Sequence, residues 1–129
     1  MRPLAIIFAI NASLANAQSV NVPSGQPVEF VEVVRDTRGP QGLTWRFRFV
    51  APEIDRTSGS IGFEEAAVDM DHLCNKFAVP RLPTMGPVPK QIVISMSDAP
   101  VDFGAPAPEI TQFFEAYRVE DDSCIWEGI

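Results

Sequence analysis

Phe63-Glu64-Glu65-Ala66-Ala67-Val68-Asp69-Met70-Asp71-His72-Leu73-Cys74-Asn75-Lys76-Phe77 is the stretch on which the fold turns. Phe63, Ala66, Ala67, Met70, Leu73, Cys74 and Phe77 recur three and four residues apart. That spacing draws one apolar stripe along a helix. Glu64 and Glu65 open the segment and Lys76 closes it, the order the helix dipole favours. Cys74 lies on the stripe and so faces whatever the helix packs upon.

Strand-like segments lie on both sides of this helix. Val28 to Val34 is rich in β-branched and aromatic residues, with imperfect alternation that implies a bulge or burial on both faces. Leu43 to Phe49 alternates cleanly: Leu43, Trp45, Phe47 and Phe49 share one face, and Thr44, Arg46 and Arg48 the other. Asp36 to Gly42 reads as the long loop of a hairpin between them, from its Gly and Pro content. After the helix, Pro80, Pro83, Pro87 and Pro89 predict a rigid crossover without helix or central strand. Gln91 to Ser97 is the next strand, and Val101 to Pro108 a further loop. Phe113 to Val119 and Cys124 to Glu127 form a C-terminal hairpin around the turn Glu120 to Ser123. Phe113, Tyr117 and Val119 share its inner face. The order β-β-α-β-β-β predicts an α+β fold: one amphipathic helix on a mainly antiparallel sheet of about five strands.

The N-terminus reads as an export signal. Arg2 precedes the apolar run Leu4 to Ile10, and Ala15-Asn16-Ala17 fits a small-residue cleavage site. The run is short of the roughly 20 apolar residues that span a bilayer. Cleavage between Ala17 and Gln18 is expected, followed by a polar leader (18–27) and a single domain (28–129). No later stretch predicts a membrane span, so the cleaved product is expected to be soluble in the periplasm or outside the cell.

Ten basic residues face 17 acidic ones across the 129 residues, a formal net charge of −7. The acids are dispersed, which fits a solvated surface and argues against nucleic-acid binding, since phosphate contacts need a clustered basic face. The two cysteines, Cys74 and Cys124, read first as a disulfide in an exported chain; two separate buried thiols are the other reading. The bridge would close a loop of about 50 residues, worth roughly 4 kcal/mol in the chain-entropy model.

Residues able to carry chemistry are few. His72 is the only histidine, and Asp69 lies three residues before it on one helix face. Two such groups make half a metal site at most, and the ordinary reading is a solvated polar face. Ser95, Ser97 and Ser123 lack a nucleophile-elbow context. Glu53 with Asp55, and Asp121 with Asp122, are carboxylate pairs; the second reads as turn residues. Arg46 and Arg48 either bind an anion or pair with Glu29 or Glu32 across the hairpin. Trp45, Tyr117 and Trp126 form either an aromatic wall or part of a small core. Pro80-Arg81-Leu82-Pro83 fits PxxP, although a rigid connection is the more ordinary use. No phosphate loop, dinucleotide fingerprint or EF-hand loop occurs, so no cofactor, metal site or catalytic residue is assigned.

Pro80-Arg81-Leu82-Pro83, Ile92-Val93-Ile94-Ser95-Met96-Ser97-Asp98, Val101-Asp102-Phe103-Gly104, Phe113-Phe114-Glu115-Ala116-Tyr117-Arg118 and Cys124-Ile125-Trp126-Glu127 together resemble a family of short exported bacterial proteins of unknown function. The resemblance spans residues 43–129 and implies no site. Some relatives carry an acetolactate synthase label, which this chain does not support because it lacks a diphosphate-binding motif. The expected function is a non-enzymatic binding or interaction module of the periplasm, its partner a protein or an envelope component. The alternative is a small carboxylate-dependent hydrolase without cofactor, using acids with His72.

Overall fold

The computed structural model describes residues 18–39 and 42–128. The expected signal peptide and Ala17 lie outside the described residues. Six strands form one sheet in chain order: β1 (Gln18–Ser19), β2 (Glu29–Gly39), β3 (Gly42–Val50), β4 (Gln91–Ser97), β5 (Gln112–Glu120) and β6 (Ser123–Trp126). A helix, α1 (Phe63–Leu73), leads from the β3 side of the connection towards β4.

The expected α+β architecture is present, with two corrections. There are six strands, because Gln18 and Ser19 pair with Phe30 and Glu29. A two-residue strand in a polar stretch leaves no alternation to read. The sheet is also mixed. β3 and β4 run parallel, Trp45 opposite Ile92 and Phe49 opposite Met96, while the other neighbours are antiparallel. The helical crossover permits this, since it returns the chain to start β4 at the same end as β3.

Gln91–Ser97 forms as expected, and it is buried on both faces. The expected loop from Asp36 is a correction: β2 continues to Gly39, paired with Gly42. Register shifts between Phe30 and Glu32 and between Val34 and Thr37 accommodate its imperfect alternation. The stretch 18–27 is built into the fold, with Val22 and Gln26 buried and the Val20 amide donating to the Val28 carbonyl at 2.9 Å.

Helix and sheet share one core. Trp45, Phe47, Phe49, Ile92, Ile94, Met96 and Tyr117 point from the sheet towards Ala66, Met70, Leu73 and Phe77. Phe77 packs against Phe30 and Phe49 with ring centroids 4.8 and 5.4 Å apart. Each such large side chain contributes about 1.5–3 kcal/mol by leaving water. Phe63, expected on the stripe, is exposed instead and stacks edge-on with Phe113 at 5.1 Å.

The prolines do not exclude helix, contrary to the expected crossover without helix. A π-turn, Cys74–Ala78, follows α1, then an α-turn Val79–Arg81 and a 3-10 turn Leu82–Thr84. Pro80 has no N–H for a carbonyl four residues back, and its ring crowds that carbonyl. The π-turn moves the ladder by one residue, so that the Val79 amide bonds to the Cys74 carbonyl. Helical geometry over residues 79–84 also rules out a polyproline II presentation of Pro80–Pro83.

Candidate functional site

The sheet face turned away from α1 carries the polar halves of β2 to β5. Register places Glu32 opposite Arg48, Arg48 opposite Ser95, and Ser95 opposite Phe114. Arg46 lies one pleat along, between Val34 and Val93. A loop from Asp98 to Ile110 folds back over this face. Its base is closed by the Asp98 amide on the Thr111 carbonyl at 3.0 Å and by the Thr111 amide on Asp98 Oδ2 at 3.3 Å.

Two arginines hold the loop down. Arg56 donates to the Pro108 carbonyl at 2.5 Å and to Thr111 Oγ1 at 3.0 Å. Arg48 donates to the Val101 carbonyl and to Glu32 Oε2, both at 2.5 Å. Pairing of Arg48 with Glu32 is the cross-strand interaction expected from the sequence. Arg48 is therefore a structural strap with its charge compensated.

Arg46 is different. It forms no ion pair among the described residues, and its Nε is buried without an acceptor. Its guanidinium carbon lies 5.5 Å from the centre of the Phe103 ring and 5.6 Å from that of Phe114. Burial, followed by repulsion from Arg48, lowers its pKa from the ordinary arginine value. The group nevertheless stays charged, since a guanidinium does not deprotonate in a protein. A cation in this state is stabilised by any anion that reaches it, most strongly by a planar carboxylate or a phosphate.

Phe103 reaches Arg46 because of a turn. The Ala105 amide bonds to the Asp102 carbonyl at 3.0 Å, and Gly104 has φ +82°. A positive φ at the third position is what a type II turn requires, and glycine supplies it without strain. The loop leaves a cleft of about 290 Å³ lined by Arg46, Arg48, Ser95, Asp102, Phe103 and Phe114. A second cleft of about 410 Å³, lined by Glu32, Arg48, Ser97 and Val101, shares Arg48 and Asp102 with it.

The chain belongs to the family of unknown function DUF6497. Its family model matches residues 6–129. No curated protein and no solved structure matches the chain. Membership in DUF6497 therefore carries no activity with it, and the chemistry must be read from the residues.

The other residues singled out in the sequence do not converge. Cys74 and Cys124 form the expected disulfide, joining the helical segment to β6 with Cα atoms 6.1 Å apart. Gln18 lies in β1, exposed. Asp69 and His72 are not brought together. Asp69 is fully buried and accepts hydrogen bonds from Ser24 and Gln26, whereas His72 is half-buried in the last turn of α1. Among the described residues, no three His, Cys, Asp or Glu side chains are placed to hold a metal.

Local structure accounts for most remaining candidates. Glu53 accepts from the amide and hydroxyl of Ser60, and Asp55 from the Thr57 amide and the Ser58 hydroxyl. The Thr57 amide is the main reason the Asp55 carboxyl lies below its ordinary pKa. Ser97 Oγ donates to the Ala99 carbonyl. Trp45 and Tyr117 are core residues, while Trp126 is exposed. Phe103, Asp102 and Phe114 escaped the sequence reading. Alternation in β5 puts Phe114 opposite to Phe113, but nothing local in a Gly- and Pro-bearing loop reports where Phe103 lands.

Proposed function

We propose that this DUF6497 chain is a non-enzymatic binding domain that recognises an anionic group of a protein or envelope partner through Arg46. The observation that carries the reading is a partly buried guanidinium, flanked by two phenyl rings, with no carboxylate partner among the described residues. An uncompensated cation of this kind is costly to the unliganded fold. Its retention in a cleft is explained by a ligand that supplies the missing charge. The chain as a whole carries a formal net charge of −7, which disfavours indiscriminate adsorption of anions and leaves recognition to the unpaired Arg46.

A disulfide fits an oxidising compartment, so we place the domain in the periplasm or outside the cell. No helix of the described residues is long and apolar enough to cross a membrane. The hydrolase alternative has less support, because Asp69, the acid that helical spacing pairs with His72, is turned into the core.

The test is a magnetic-resonance titration of the labelled domain with inorganic phosphate and with N-acetylglutamate. Saturable shifts at the amides of Phe103, Gly104 and Phe114, lost in Arg46→Met and weakened in Arg46→Lys, are expected. Absence of saturable shifts with both probes, or unchanged titration in Arg46→Met, would overturn the reading.

A further inference from the structure

On the other side of the sheet, α1 does not cover the outer end of the C-terminal hairpin. An apolar groove of about 350 Å³ remains, lined by Ala67, Val68, Asp71, Glu115, Tyr117 and Trp126. Ala67 and Asp71 lie one helical turn apart on α1, and Glu115 and Tyr117 alternate on the helix-facing side of β5. Trp126 of β6 stands opposite Tyr117.

The indole of Trp126 is 59% exposed, yet it is held in place. Its Nε1–H donates to Glu115 Oε1 at 3.0 Å. Gly128 lies so close that a Cβ there would come within 3.2 Å of the ring. Val68, also on the rim, is 58% exposed. An ordered indole and a branched aliphatic side chain in water form the kind of apolar collar that a partner covers.

The polar groups of the groove are two carboxylates, Asp71 and Glu115, and the Tyr117 hydroxyl. Neither Asp71 nor Glu115 has a cationic partner among the described residues. Tyr117 is only 1% exposed, lines the groove, and its hydroxyl makes no hydrogen bond to any described residue. The hydroxyl opens on the groove rather than being sealed in the core, so a donor or a water can reach it there. Burial first, then the charges of Asp71 and Glu115, push the Tyr117 phenol well above its ordinary pKa, so it remains a neutral hydroxyl beside the two carboxylates.

We propose that this groove binds a lysine side chain of a partner protein. Its primary ammonium offers three N–H donors, which match the two carboxylates and the Tyr117 hydroxyl. Its four-carbon stem lies along Ala67, Val68 and the Trp126 ring, where a cation near the indole gains a further electrostatic attraction. A quaternary ammonium has no N–H to donate to these acceptors. The exposed collar of Val68 and Trp126 extends beyond what a free amine would cover, which favours a lysine carried on a larger surface. The site is independent of Arg46, which lies on the opposite face of the sheet.

The experiment titrates the oxidised domain with Nα-acetyl-lysine-N-methylamide and follows the indole N–H resonance of Trp126, with that of the buried Trp45 as internal reference. A saturable shift of Trp126 alone is expected. Binding should weaken at least tenfold in Asp71→Asn/Glu115→Gln, and severalfold in Tyr117→Phe, which keeps the ring and removes the hydroxyl. Tetramethylammonium should not compete. No saturable shift, equal binding in the double variant when its unfolding midpoint is preserved, or competition by tetramethylammonium would overturn the proposal. So would binding of butylamine without binding of the lysine derivative.

Discussion

Ser24 gives both of its donors to Asp69: its amide to Oδ1 at 2.9 Å and its hydroxyl to Oδ2 at 2.5 Å. Gln26 Nε2 adds a third bond to Oδ2 at 2.8 Å. Asp69 is thus a buried carboxylate, saturated by neutral donors, that ties the N-terminal segment to α1. Val22 and Val28 on either side are buried with it.

Removal of that carboxylate should detach the segment. Asp69→Ala leaves the Ser24 amide and the Gln26 side chain without an acceptor, and we expect a loss of about 3 kcal/mol. Asp69→Asn keeps one acceptor but aims an amide N–H₂ at another donor, so about half that loss is expected. Urea unfolding measures both, and hydrogen exchange at Val20 should accelerate. A loss below about 0.5 kcal/mol for Asp69→Ala would mean that the segment is held by its apolar contacts alone.

The disulfide between Cys74 and Cys124 is reinforced by a neighbour. The Cys124 amide donates to Asn75 Oδ1 at 2.9 Å, and Asn75 Nδ2 donates to the Asp71 carbonyl at 3.0 Å. The double variant Cys74→Ser/Cys124→Ser should lose about 4 kcal/mol through unfolded-state entropy while β6 keeps its register. Asn75→Ala in the disulfide-free background should then cost more than in the oxidised protein, because β6 would have lost both ties. Additive losses in a thermal-unfolding cycle would sink this coupling.

Most of the scaffold was legible because its elements obey one period each. Alternation in Leu43 to Phe49 predicts the buried face, and Trp45, Phe47 and Phe49 occupy it. The helical stripe predicts Met70, Leu73 and Phe77 at the core. What escaped depended on groups distant in sequence. Asp69 reads as solvated because its partners, Ser24 and Gln26, are more than 40 residues away. Pro80 reads as a helix breaker because a compensating π-turn has no sequence signature. The parallel pairing of β3 with β4 depends on where the crossover lands. Arg46 and Arg48 look equivalent on one strand face; only the register, which gives Glu32 to Arg48 and Val34 to Arg46, separates a strap from an unpaired cation.

Asp121 and Asp122 have φ of 53° and 59°, between the paired residues Glu120 and Ser123. Two consecutive left-handed residues define a type I′ hairpin turn, which Asn-Gly suits and most other residues occupy at a cost. Asp121→Asn/Asp122→Gly should therefore stabilise the domain by about 1 kcal/mol and raise Tm by a few degrees. A lowered Tm would show that the aspartates contribute through charge rather than through turn geometry.

Arg46 and Arg48 should respond in opposite ways to the same change. Arg48→Met strands the Glu32 carboxylate and frees the Val101 carbonyl, so the loop over the sheet loses its strap. A loss of about 2–3 kcal/mol is expected, discounted from a fully buried pair because Glu32 is partly exposed. Arg46→Met removes a cation whose Nε has no acceptor and leaves an aliphatic chain between Phe103 and Phe114. Without ligand the change should be neutral or should stabilise by up to about 1 kcal/mol, since desolvation of the charge is no longer opposed to folding. The same variant should abolish the stabilisation that saturating phosphate or N-acetylglutamate confers on the parent domain. Unfolding curves of the two variants, with and without anion, separate these effects. If Arg46→Met were as damaging as Arg48→Met in the absence of anion, Arg46 would be a second structural strap, and its role in recognition would fall.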